Sequence, residues 1–161
     1  MSVVTEHLRA RDIQFKGLEH PTAHNALDEA LLLGLRADMI AKAVVLDTPD
    51  GHAVAVVSGY QRLDLDDCSA ALGCRVTLAT EHEVRQHFPE FEPGMFPAVP
   101  SLVDVPFLVD PEVLDHERVV VSGGDPNHSA LIRTTDLFAG PGVMVVRIAE
   151  HDGDESRIMM A

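Results

Sequence analysis

Ile40-Ala41-Lys42-Ala43-Val44-Val45-Leu46-Asp47 is the stretch from which the fold is read. It is apolar on both faces and β-branched toward its end, and Thr48-Pro49-Asp50-Gly51 closes it, so it predicts a buried strand bounded by a turn. His52-Ala53-Val54-Ala55-Val56-Val57-Ser58 follows as a second apolar strand, and the two runs around a Pro-Asp-Gly turn predict a hairpin. One cation interrupts the first strand. Lys42 is one of only two lysines, with Lys16, while the other ten basic residues are arginines. Desolvating an unpaired ammonium costs on the order of several kcal/mol. The residue therefore either snorkels from an edge strand or faces a polar cleft, as a compact charge that arginine would not replace well.

Working outward, Thr5 to Arg11 predicts a short amphipathic helix and Ile13 to Leu18 a first strand, ending at Glu19-His20-Pro21. A second helix is capped by Thr22 or Asn25, carries Asp28 and Glu29 in its first turns, and stops at Gly34. Beyond the hairpin, a helix opens at Leu63-Asp64-Leu65 and ends at Gly73, and Arg75 to Leu78 is a short strand. Thr80 and Glu83 form a capping box for a helix over 81–87. From Phe88 to Pro106 five prolines and Gly94 predict a rigid loop, and loops of that length in a compact domain are usually functional. Strands are expected at Phe107 to Asp110, Arg118 to Ser122, Ala130 to Arg133 and Val143 to Ile148. A flexible loop over 123–128 and a short helix capped by Thr135 lie between them. Strands outnumber helices and often follow one another directly. The expectation is one α+β domain over 1–161: a mixed, mostly antiparallel sheet curled toward a barrel, helices packed outside, with an acidic C-terminal tail.

Composition excludes several classes. The 161 residues suit one core, and no apolar run approaches the roughly 18 residues needed to cross a bilayer. No basic n-region opens the chain, and two cysteines, Cys68 and Cys74, make no disulfide framework, so a reducing cytoplasm is the expected compartment. The formal charge of −14, with no Lys/Arg cluster along the sequence, disfavours long-range attraction to nucleic acid and leaves only local contact with an RNA end. Neither a membrane nor DNA is an expected partner. His20 and His24 are spaced as metal ligands can be, but Pro21 lies between them and no metal is expected. No nucleophile elbow or phosphate-binding Walker loop is present.

Five ordered pieces carry a resemblance: Glu19-His20-Pro21; Ala41-Lys42 with Val44-Val45-Leu46; Leu63-Asp64-Leu65 with Ala71-Leu72-Gly73; Pro93-Gly94-Met95-Phe96-Pro97; and Val121-Ser122-Gly123-Gly124 leading to Asp136-Leu137. Over roughly residues 13–138 the chain resembles the YbaK/prolyl-tRNA-synthetase-associated domain family of editing domains. The resemblance implies a compact α+β fold and hydrolysis, without cofactor, of the ester joining a small, wrong amino acid to tRNA for proline. The implied partners are the acceptor end of an aminoacyl-tRNA and a synthetase.

The resemblance also implies roles. Lys42 matches the family's essential lysine, and Gly94, Met95, Phe96 and Pro97 match its Gly-x-x-Pro loop, whose amides bind the amino-acid carbonyl. Ser122, Gly123 and Gly124 match a loop lining the pocket. His128 is the candidate for orienting or deprotonating water, Ser129 is a polar neighbour facing substrate, and His20 closes the cleft wall or caps the helix. Three positions depart from the family pattern. Leu18 replaces a tyrosine found in members that clear cysteine, Ala43 a Thr or Asn, and Ala98 a Phe or Leu, which puts the specificity in question. The rival reading is a non-catalytic module that uses the same pocket to bind an amino acid, nucleotide or protein.

Overall fold

The computed structural model describes residues 2–150; the acidic tail expected at the C-terminus lies almost wholly outside them. Five α-helices are α1 (Val3–Ala10), α2 (Ala26–Leu33), α3 (Leu65–Leu72), α4 (Glu81–His87) and α5 (Thr134–Phe138). Eight strands are β1 (Phe15–Glu19), β2 (Ala41–Thr48), β3 (Gly51–Ser58), β4 (Thr77–Leu78), β5 (Phe107–Val109), β6 (Arg118–Ser122), β7 (His128–Arg133) and β8 (Val143–Val145). Among the described residues no helix is long and apolar enough to cross a membrane.

Local chemistry sets most boundaries. Asn25 accepts the Asp28 N–H at the start of α2, and Gly34, at φ 67°, ends it in the left-handed conformation. Asp64 and Gly73 bracket α3 in the same way. Thr80 and Glu83 form the expected box on α4. Two starts differ from the sequence expectation. Helix α1 starts at Val3, before the expected Thr5, because Ser2 caps it and Thr5 closes a capping box on it. Thr134 lies inside α5, where its hydroxyl donates to the His116 and Glu117 carbonyls and ties the helix to the preceding loop. Strand β7 begins at His128, so that residue belongs to a strand and not to the loop.

The hairpin forms as expected, β2 and β3 pairing antiparallel from Ala41↔Ser58 to Thr48↔Gly51. The single barrel-like sheet does not. Among the described residues the strands make two sheets, an antiparallel β1-β7-β6 and a mixed β4-β2-β3-β5-β8 in which β5 runs parallel to β3 and to β8. Among the described residues no closed or curled barrel is present. The sheets touch through one parallel bridge, Ile40↔Val120. Beyond it the proline-rich segment takes the position a continuing ladder would need: Ser122 Oγ donates to the Met95 carbonyl at 2.6 Å, and the Glu92 N–H to the Gly124 carbonyl at 2.9 Å.

Alternation along the strands distributes the core. Val119 and Val121 of β6 and Ala130 and Ile132 of β7 face Val45, Val54, Val56, Phe107 and Val109 of the other sheet. The proline-rich segment is no surface loop, since Phe91, Phe96, Ala98, Val99 and Val103 are buried in that same core. The outer face of the second sheet, with Leu46, Ala55, Val57 and Leu108, is covered around Cys68 of α3. The outer face of the first, with Val120, Leu131 and Leu18, is covered by Ala26 and Ala30 of α2. The order of layers is α2, sheet, sheet, α3.

Candidate active site

Lys42 stands one residue into β2, opposite Val57, and is half-buried. After β3 the chain turns at Ser58–Gln61, held by Gln61 N–H to the Ser58 carbonyl and by Ser58 N–H to Gln61 Oε1, both 2.9 Å. That turn presents the Gln61 carbonyl, to which Lys42 Nζ donates at 2.7 Å. An ammonium has three N–H donors, and among the described residues no other bond and no carboxylate partner engages Lys42. Burial pushes its pKa below the ordinary lysine value.

The residue lines a cavity of ≈ 20 Å³ together with Ala26 and Glu29 of α2, Ala43, the Gly94-Met95-Phe96 segment and Ser122. That is room for about one water molecule. Met95 N–H is engaged by the Glu92 carbonyl at 2.9 Å, whereas among the described residues the Gly94 and Phe96 amides donate to no protein acceptor. The Phe96 ring is held edge-on by Phe88 and Phe91, each 5.2 Å away between centroids. Gly94 is required by packing: a Cβ there would lie 2.4 Å from the His24 carbonyl oxygen.

The other residues singled out in the sequence are placed differently. Ser122 Oγ holds the Met95 carbonyl and accepts the Gly124 N–H at 3.0 Å, so it braces the loop from beneath. Gly123 and Gly124 pack against His128 and Phe91 and do not line the cavity. Pro97 is buried outside it. His128 Nδ1 stands 2.9 Å from both carboxylate oxygens of Asp125, and neither residue lines the cavity. Leu18 is used in packing under α2, Ala98 is fully buried, and Ala43 leaves the cavity wall apolar. Cys68 is buried, with its thiol pushed up to about 12 by burial first and by Asp64 and Asp67 second, so it offers no thiolate nucleophile.

Behind the cavity lies a network missed in the sequence. Ser129, fully buried, donates to the Glu29 carboxylate, and His20 Nε2 is 2.7 Å from the Ser129 hydroxyl. His20 Nδ1 lies 2.8 Å from the Pro21 carbonyl, which can only accept, so Nδ1 carries a proton. The chain therefore holds one further proton in either of two ways. With Glu29 ionised, both ring nitrogens donate; with Glu29 neutral, its O–H donates to Ser129, which donates to Nε2. Burial raises the Glu29 pKa above its ordinary value near 4.5, against the Ser129 bond and the His20 charge. A signal for Glu29 existed in the sequence: it falls on the inner stripe Ala26, Glu29, Ala30, Leu33 of α2, where the reading as a first-turn acid overlooked helical phase.

A prediction follows from the sign of that shift. A carboxyl whose folded pKa lies above its unfolded one contributes its full stability below the unfolded value and loses it as pH rises through the folded value. Glu29→Gln, which keeps the shape without the charge, should unfold at a higher temperature than wild type near neutral pH, and the two should converge on acidification. Thermal unfolding across pH measures it; a variant less stable at every pH would show that the ionised carboxylate is the stabilising form.

A family model described as aminoacyl-tRNA editing domain matches residues 20–139. Among solved structures, a candidate trans-editing enzyme for prolyl tRNA synthetase is 28% identical with a TM-score of 0.81, over 92% of this chain and 95% of that one. A scaffold protein from a study of computational epitope grafting is 26% identical with a TM-score of 0.81, over 92% and 95%. A hypothetical protein at 24% identity and TM-score 0.82, over 91% and 99%, shares the fold. A search of the curated proteins finds no match.

Proposed function

The chain belongs to the aminoacyl-tRNA editing domain family, and from that premise we propose that it is a hydrolase that clears a small amino acid from a mischarged tRNA in trans, with tRNA for proline as the acceptor. The observation that carries the reading is one cavity lined both by Lys42, whose ammonium has unengaged protons, and by a segment with unengaged amides. Ester hydrolysis builds negative charge on the carbonyl oxygen as water adds, and then on the ribose oxygen as the C–O bond breaks. Fixed donors aimed at those oxygens in a site shielded from water are the largest single aid to such a reaction. The Gly94 and Phe96 amides are assigned to the carbonyl oxygen, and Lys42 to the terminal ribose and phosphate oxygens. Ser122 positions the Met95 backbone. No step is assigned to His128, which is paired with Asp125.

The cavity supports a small side chain. With ≈ 20 Å³ between Ala43 and the ring-locked Phe96, there is space for one small group. Each methylene separates substrates by about 1–3 kcal/mol in such a pocket, so exclusion by size is the specificity device. The acceptor is argued from the structural similarity to a protein described as a candidate trans-editing enzyme for prolyl tRNA synthetase.

Labelled amino acid released from a panel of mischarged tRNAs tests the reading. Turnover is expected on one small residue, alanine before cysteine because Leu18 stands where the cysteine-clearing members carry tyrosine. No release from any tRNA would shift the assignment to the non-catalytic binding module.

A further inference from the structure

The charge of −14 poses a difficulty for an RNA substrate, and the tertiary structure answers it. Lys16 of β1, Arg118 of β6 and Arg133 of β7 are far apart in sequence, yet all three line one open groove of ≈ 190 Å³, with Gln14 and Leu131 between them. All three are exposed. Among the described residues none is in ion-pair contact with a carboxylate, in a chain with 26 acidic side chains against 12 basic ones. Outside the groove Arg36, Arg62 and Arg85 each have an acidic partner, while among the described residues the scattered Arg11, Arg75 and Arg147 are in ion-pair contact with none. The one carboxylate of the groove lining, Asp136, is beyond ion-pair distance of the three.

Register adds a second observation. Arg118 and Arg133 are direct cross-strand partners. Like charges placed opposite each other in a ladder are unfavourable, and among the described residues no carboxylate is in ion-pair contact with this pair. Such an arrangement fits an anion that comes from outside.

Position gives the anion its identity. Arg118, Val120 and Ser122 share one face of β6, and Ser129, Leu131 and Arg133 share the same face of β7. Helix α2 covers Val120 and Leu131, and at its near end are Ser122 and Ser129, behind the Lys42 cavity. The groove opens past the other end of the helix, four residues or about 13 Å along the strands. That is a few nucleotides of RNA backbone.

We propose that the Lys16–Arg118–Arg133 groove binds backbone phosphates of the tRNA whose aminoacyl end enters the Lys42 cavity. This rests on the editing reading. It assigns the affinity to a patch of phosphate contacts in place of the protein's overall field, so binding is local and salt-sensitive despite the net charge.

The test is the affinity of the full chain for a fluorescent tRNA transcript, titrated at several salt concentrations, beside release of amino acid from charged tRNA. The Arg118→Gln/Arg133→Gln double variant should bind about tenfold more weakly or worse, and the slope of log affinity against log salt should fall by about 2. Lys16→Gln, on a different strand, should lower the slope by about 1, and Arg75→Gln, exposed outside the groove, should change neither quantity. The thermal midpoint of the double variant should hold or rise slightly, since a like-charge pair is removed. Unchanged affinity and slope in both groove variants, or no tRNA binding by wild type at low salt, overturns the groove. Groove-dependent binding without release of any amino acid keeps the groove and removes the deacylase reading. Release with groove-independent binding does the reverse.

Discussion

Replacing Lys42 by alanine is expected to lower deacylation by about a hundredfold or more while leaving the fold intact. Position and solvation argue for separate effects on rate and stability. The ammonium is half-buried and donates to one backbone carbonyl, that of Gln61, so its desolvation cost is only partly offset by the protein. Removing it relieves that cost and leaves one carbonyl without its donor, two changes of opposite sign and similar size. The stability change is expected within about 1 kcal/mol. The transition state has no such compensation, because charge developing on the ester oxygens loses its only cationic neighbour in the cavity lining. The pH dependence carries a matching signature. Burial lowers the lysine's pKa, so its charge is complete at low pH and is lost as pH rises, earlier than for an exposed lysine. Enzymatic release, corrected for spontaneous hydrolysis, should fall on the alkaline side in wild type, and the residual activity of Lys42→Ala should lack that limb. A mutant that keeps more than a tenth of the wild-type kcat/KM would remove Lys42 from the mechanism.

Gly94→Ala is expected to be nearly as damaging, through geometry alone. The added methyl would stand 2.4 Å from the His24 carbonyl oxygen, a distance no real contact tolerates. That carbonyl cannot retreat easily. It precedes the Asn25 cap of α2, and the His24 N–H is bonded to the Asp28 carboxylate at 3.2 Å. The loop must give way and carry its amides out of line. A misplacement of about 1 Å at a reacting centre costs on the order of a hundredfold. Because Gly94 itself is exposed while Met95 and Phe96 anchor the segment in the core, the protein should still fold, with a modest fall in thermal midpoint. The decisive comparison is between the two quantities: loss of turnover in a folded variant supports the positioned loop, whereas full activity in Gly94→Ala would mean the loop takes no part.

Much of this was legible in the chain because it rests on short-range physics. Caps at Asn25, Asp64 and Thr80 and stops at Gly34 and Gly73 depend on a few neighbouring residues, as does the Pro-Asp-Gly hairpin that places Lys42. The lysine was conspicuous because it violates the apolar pattern of its own strand. His128 was less legible: its ring is paired with Asp125, three residues earlier, while the cavity is walled by residues from α2, β2, β6 and the 94–96 segment.

The sequence by itself determined the elements, the mostly antiparallel α+β character and the lysine-bearing hairpin, since propensity, capping and periodicity act within about ten residues. Only the tertiary structure decided that the strands form two sheets in place of one barrel-like sheet, because the proline-rich segment enters the core where Ser122 and Met95 meet. It alone buried Glu29 against Ser129 a hundred positions away, and gathered Lys16, Arg118 and Arg133 from three strands into one groove. Those are pairings between distant segments, set by which faces the layers bury, and the number of possible partners for any one residue is too large for local pattern to choose among them.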